Sequence, residues 1–339
     1  MLGSILRKGL LVVSAFLLSV TFFPAQSLQA ADSVSLRLDW RLSGYHLPFY
    51  WAKEKGYFAA EKLNVTIKEG AGSSKTVGLI SGKHDDFGVA DYMFMASGVA
   101  KGMKLKGVFG VVQIGAWAVI SHEDSPIRKP QDLIGRSVAM TAGHKAMFDL
   151  LLSVNKIPPE KVQIRVTSGA TRNTTFVNGK VDSFISVVIG SPLDLVVRAR
   201  QGKGKPVYFM KFSDFGISPL GHGVVVHEQR IAEKPGQVQR FVRAVARGLK
   251  DVVKKENVDE AVDIAMRLSK TAEKRRESIK LQWEEAHKRL GTKHTAGKPY
   301  GWTSKKDWDN AVQILVKTGR LKKTLPAEKF YSNKFVPKN

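Results

Sequence analysis

Apolar and polar positions alternate through "SVSLRLDW", with Val34, Leu36, Leu38 and Trp40 on one side, and this period of two predicts a strand ending at residue 40. Pro48 is placed as a first helical residue, the segment to Lys55 is helix-compatible, and Gly56 sits where a helix stops. "LNVTI" at 63–67 alternates again, so strand, helix and strand follow one another as a βαβ unit, the signature of a parallel sheet. Much later the period changes: from near Gly236, Val238, Phe241, Val242, Val245 and Leu249 recur on one side of a long helix.

Two segments repeat weakly. "LISGKHDDFGV" from Leu79 and "FVNGKVDSFIS" from Phe176 align Gly82 with Gly179, Asp85 with Asp182 and Phe87 with Phe184. Each reads as a helix, a glycine stop and a strand, which predicts two lobes sharing one helix-to-strand corner. "VISHEDSPIRKPQDLIGRSVAM" reads as a crossing from the first lobe to the second, and "DFGISPLGHGVVVHEQR" as the return. The expected organisation is a leader over 1–30, lobe one over 31–122 and 221–339, and lobe two over 123–220. Two crossings place a cleft between lobes joined by a hinge.

A chain of 339 residues, 43% apolar, is long enough for two cores. Arg7 and Lys8 precede an uncharged run from Gly9 to Phe23, then small residues near Ala30. That order predicts a cleaved export signal; an uncleaved anchor is the alternative, although the apolar core is short for a bilayer. Without a single cysteine the chain has no disulfides, no lipid-accepting cysteine and no thiolate-bound metal, so the expectation is a free periplasmic protein. The formal charge is +24, of which residues 231–339 supply +13 from 26 basic and 13 acidic side chains. These charges interleave on the polar faces of helical segments such as "KKENVDEAVDIAMRLSKTAEKRRE", a solvated basic surface and not a nucleic-acid footprint.

"LDWRLSGYHLPFYWAKEKGYF" resembles the opening motif of the NMT1/THI5-like solute-binding proteins, which take up sulfonates, nitrate or thiamine-precursor pyrimidines. Leu38, Asp39, Trp40, His46, Gly56, Tyr57 and Phe58 carry the match. The likeness continues through "LISGKHDDFGVAD", "SPIRKPQDLIGRSVAM", "VNGKVDSF", "DFGI" and "FYSNKFVP", in order along the chain. It implies an α/β type II periplasmic-binding-protein fold, two lobes joined by a two-strand hinge, serving an ABC importer permease as a monomer. Arg41, Leu42 and Ser43 stand where the family commonly has Pro-Asn, which leaves the ligand open between a pyrimidine or related heterocycle and a sulfonate- or nitrate-type anion.

Ligands of open α/β sheets sit at the carboxyl ends of strands, which places Asp39 and Trp40 at the crevice. Trp40 reads as a stacking platform or a core residue, and Asp39 as an acceptor for an amino group or a loop cap. The resemblance favours His46 as a pocket residue, with Tyr50 one helical turn on. Ser73 and Ser74 begin a helix, where they cap it or meet an anion. Asp91 and Tyr92 follow a strand at its mouth, and Gln113 lies in an apolar run with Trp117, which reads as core. Thr141 and His144 form a similar corner in lobe two, joined there by Ser191 and Asp194. No GxSxG, HExxH, P-loop or dinucleotide fingerprint occurs, which argues for binding without catalysis, cofactor or metal. The alternatives are a pyrimidine-converting enzyme of the THI5-like branch, and a protein whose basic C-terminal third binds an anionic polymer.

Overall fold

A computed structural model describes residues 31–271 and 273–338; the expected export signal lies outside the described residues. Two five-stranded mixed sheets organise the chain. The first contains β1 (Asp32–Arg37), β2 (Leu63–Lys68), β3 (Phe87–Asp91), β4 (Leu105–Gly110) and β10 (His222–His227), in the order β2-β1-β3-β10-β4. The second contains β5 (Trp117–His122), β6 (Ser137–Met140), β7 (Gln163–Val166), β8 (Ser183–Val187) and β9 (Val207–Lys211), in the order β7-β6-β8-β5-β9. In each sheet four strands share one direction, and the strand in fourth place, β10 or β5, runs antiparallel to both of its neighbours. The predicted first strand is real but ends at Arg37, and Leu38 to Leu42 turn out of the sheet.

The repeat is structural, with its register displaced by one residue. Ser35 donates its amide and hydroxyl to Asp86 Oδ2 (2.7 and 3.2 Å), and Ser137 does the same to Asp182 Oδ2 (2.8 and 2.6 Å). The equivalent of Asp182 is therefore Asp86, not Asp85. Likewise Lys83 (φ 59°) occupies the left-handed position that Gly179 (φ 68°) holds in the other lobe. The conformation demanded of the helix exit is shared, but lobe one pays for it with a lysine, so aligning the glycines slipped the match.

The first crossing also falls earlier than expected. Trp117–His122 is paired to β8 and β9, so the sheet changes between Gly110 and Trp117, and the polar stretch after residue 122 is a connection inside lobe two. "WAVI" is apolar throughout, a pattern that fits the centre of either sheet and carries no sign of which. The two crossing segments run side by side: Ile114 bridges Leu220, Gly115 N donates to Pro219 O (2.7 Å), and the amides of Val111 and Val112 donate to His222 O. A side chain at Gly221 would put its Cβ 2.2 Å from Val112 O, so this close approach needs glycine.

The C-terminal helices return to lobe one. Pro235–Val252 buries Val238, Phe241, Val242, Val245 and Leu249, the predicted stripe, against the helix Leu47–Glu54. Phe241 stacks on Phe87 at 3.9 Å between centroids, fixing that helix to the sheet. Among the described residues, no helix is long and apolar enough to cross a membrane.

Candidate functional site

Between the two sheets lies a cleft of about 450 Å³, lined from lobe one by Asp39, Trp40, Tyr45, Ser73, Asp91 and His222 and from lobe two by Thr141, His144, Gly169, Arg172 and Ser186, among others. Trp117, beside the hinge, and Phe94 complete an aromatic wall.

Lobe one supplies a buried polar cluster. Asp39, just past β1, accepts the Tyr45 hydroxyl (3.0 and 2.9 Å), His46 Nε2 (2.9 Å) and Ser73 Oγ (3.3 Å), and His222 Nε2 lies 3.3 Å from Oδ2. Burial opposes its charge, but the hydrogen bonds from His222 and His46 outweigh it and hold the carboxyl well below the usual range. Burial likewise opposes a charge on His222, and the Asp39 carboxylate overrides it, raising that imidazole. His46 Nδ1 accepts the Ser43 amide, so Nε2 carries the proton given to Asp39. Asp39 is thus a saturated acceptor.

Asp91 is the opposite case. It caps the helix Tyr92–Ala100, Oδ1 accepting Met93 N at 2.8 Å, while buried Oδ2 has no partner. Burial, helped by the Asp39 charge and only partly offset by His222, the Met93 amide and the neighbouring Trp117 indole, pushes its carboxyl up to about 6. Trp117 Nε1, His144 Nδ1 and His222 Nδ1 are also buried without partners. Burial and the nearby Arg172 charge push His144 down to about 3, so it is neutral at pH 7. Its ring meets Trp117 edge-on at 5.0 Å. These four unpaired polar atoms all sit on cleft-lining residues, with the Trp117 indole beside the Asp91 carboxyl.

Of the residues expected at the site, Asp39, Trp40, Ser73, Ser74, Asp91, Thr141, His144 and Ser191 line the cleft. Five do not. His46 stands behind Asp39 with no exposed surface; Tyr50 is buried in the lobe-one core; the Tyr92 hydroxyl points inward to Phe109 O (2.8 Å). Gln113 belongs to the hinge region, its amide donating to Arg289 O, and Asp194 faces Gln282 Nε2 (3.3 Å) and Arg275 (3.7 Å) from lobe one. Strand-end and helix-start positions found the lining, but helical spacing from His46 and sequence adjacency to Asp91 did not decide which way Tyr50 and Tyr92 point. Trp117, expected in the core, is buried there and also borders the cleft. Tyr45, Phe94, Ser168, Gly169, Arg172, Ser186 and His222 were not singled out. "PLGHGVVV" held a signal for His222: a histidine between glycines ahead of a buried strand.

Two α/β lobes, a two-strand hinge and a cleft walled by both define the type II periplasmic-binding-protein fold. The chain belongs to the NMT1/THI5-like family, whose match spans residues 43–257. Its relatives include the riboflavin-binding protein RibY of Chloroflexus aurantiacus, 24% identical over 94% of this chain and 90% of that protein. The formylaminopyrimidine-binding protein of Halalkalibacterium halodurans is 22% identical over 96% and 97%. Among solved structures, the periplasmic nitrate-binding protein NrtA from Synechocystis PCC 6803 shares the fold with a TM-score of 0.67 at 13% identity, covering 90% of this chain and 87% of that one.

Proposed function

We propose that this protein is the exported solute receptor of an ABC importer: it captures a small flat solute, a nitrogen heterocycle or an anion, between its lobes and hands it unchanged to a membrane permease. The observation that carries this reading is the set of orphaned buried atoms, Asp91 Oδ2, Trp117 Nε1, His144 Nδ1 and His222 Nδ1, on residues that line an aromatic-walled cleft. Burying a polar atom without a partner costs about 1–3 kcal/mol, and a guest that pairs several of them recovers that cost on binding. Trp40 and Trp117 offer flat apolar faces, and the lining drawn from both lobes lets a guest favour the closed form. The family and its binding-protein relatives support the same reading.

The test is mass spectrometry of whatever co-purifies with the mature chain, followed by titration calorimetry with that compound and small-angle scattering with and without it. The expected result is one bound small molecule, recovered intact, and a smaller radius of gyration in its presence. Recovery of a chemically altered molecule would favour the pyrimidine-converting alternative, and an unchanged scattering profile would remove the hinge from the account.

A further inference from the structure

Arg172 is the one strongly buried cation of the cleft that the lobe-one cluster does not explain. It sits near the start of the helix Gly169–Val177, is 5% exposed and lines the cleft. Nε and Nη2 donate to Asn173 Oδ1 (3.3 and 3.2 Å), Nη2 also reaches Ser186 Oγ (3.0 Å), and the guanidinium lies 5.3 Å over the Phe184 ring. All these partners are neutral, and among the described residues no carboxylate forms an ion pair with it. Burial alone weakens its hold on the proton, down to about 10, so it stays charged at pH 7. A charge removed from water demands a counter-charge, and here only the cleft can supply one.

The rest of the cleft limits what brings that charge. Its volume of about 450 Å³ and its walls of Trp40, Trp117 and Phe94 exceed what a bare inorganic ion would fill. On the opposite lobe Asp39 is saturated, so the free acceptor for a guest's N–H or O–H is Asp91 Oδ2. We propose that the solute is a flat aromatic or heteroaromatic acid whose anionic oxygens meet Arg172 and whose ring N–H or O–H meets Asp91. This rests on the reading of the cleft as a solute site and narrows it, since a neutral heterocycle leaves Arg172 unpaired.

Calorimetry on the mature chain at pH 7.5 with three acid and neutral pairs tests it: orotate with uracil, nicotinate with nicotinamide, and 4-hydroxybenzoate with 4-hydroxybenzamide. At least one acid is expected to bind on the order of 100-fold more tightly than its neutral partner, the worth of a charge-assisted contact. Arg172→Gln reduces that ratio to near one, whereas Arg172→Lys, which keeps the charge but not the fork, retains part of it. The ratio is read on one protein sample at a time, and thermal melts of both variants check that each is folded. Failure of every acid to bind overturns the proposal. So does a neutral heterocycle that binds wild type and Arg172→Gln alike, although that outcome leaves the receptor reading standing; silence across a broad metabolite library would remove the receptor reading itself.

Discussion

Asp91→Asn should make the unliganded protein more stable at alkaline pH while weakening solute binding. The Asp91 carboxyl titrates at about 6 in the fold against 3.8 for the ordinary side chain. That gap is worth about 3 kcal/mol. The sign follows from which state holds the proton more firmly. A raised pKa means the folded protein prefers the neutral acid, so the favourable contribution is complete below pH 3.8 and is lost as pH rises through about 6. At pH 8 wild type therefore carries the whole unfavourable term, and asparagine removes it while its Oδ1 still caps Met93 N. Against this, the new amide nitrogen faces the Trp117 and His222 side of the cleft, leaving a net gain of between about 1 and 3 kcal/mol at pH 8 and near zero at pH 4. For a chain of this length that is roughly 2 °C in Tm per kcal/mol. Urea melts followed by circular dichroism at the two pH values measure it directly. A variant less stable than wild type at pH 8 refutes the account of Asp91 as a destabilising acceptor kept for a guest.

Asp39→Asn should behave in the opposite way: it breaks a saturated buried network and costs about 3–5 kcal/mol at pH 7. Because the folded carboxyl is depressed, that contribution is present above about pH 4 and is lost as pH falls further, so the difference between variant and wild type shrinks in acid melts. Trp40→Ala should leave the melting temperature within about 2 °C, since the ring lies in the cleft against Gly169 and is only half-buried, yet weaken solute binding about tenfold or more by calorimetry. Gly44→Ala should cost about 3 kcal/mol or more in urea melts, because a Cβ there would stand 2.1 Å from the Trp283 amide nitrogen. Asp194→Ala should lower solute affinity several-fold and enlarge the liganded radius of gyration by scattering, with the cleft lining intact.

The fold was largely legible because its signals are local. The βαβ opening, the amphipathic stripe of Pro235–Val252 and the paired helix-to-strand corners each depend on a few neighbouring residues. Strand ends marked the cleft for the same reason: Asp39 and Trp40 follow β1 and Asp91 ends β3, and these two strands are parallel neighbours, which brings their carboxyl ends to one edge. What escaped was long-range. His222 joins Asp39 only because β10 returns to pair antiparallel with β3, placing His222 opposite Asp91 from 131 residues away. Arg172 escaped because a lone arginine in "GATRNTT" looks like any solvated helix residue until the sheet behind it buries the guanidinium. The reassignment of Asp194 has the same origin. Its helix, Pro192–Arg200, packs on Arg276–His287, a neighbour that no local pattern announces.

That last contact bears on how the cleft works. Gln282 Nε2 donates to Asp194 across the lobes while its Oε1 accepts Gly44 N (3.0 Å), and Gly44 begins the turn that carries Tyr45 and His46 to Asp39. On the far flank Arg320 donates to Ser97 Oγ in lobe one and to Gly143 O in lobe two (3.4 Å), beside His144. The lobes are therefore joined at two points on the flanks of the cleft, neither of which needs a guest. These contacts are long or half-exposed and individually weak, so they bias closure without fixing it. On the proposed function the unpaired atoms act the other way, because they are already out of water with no hydrogen bond in return, a cost that an empty closed form keeps. A solute that pairs Asp91 and the other orphaned atoms reverses the sign of that term, and its differential affinity for the closed state sets how far the equilibrium moves. If the protein works as proposed, the unpaired polar atoms make closure depend on the solute, and replacing their residues with apolar ones would give a protein that closes empty.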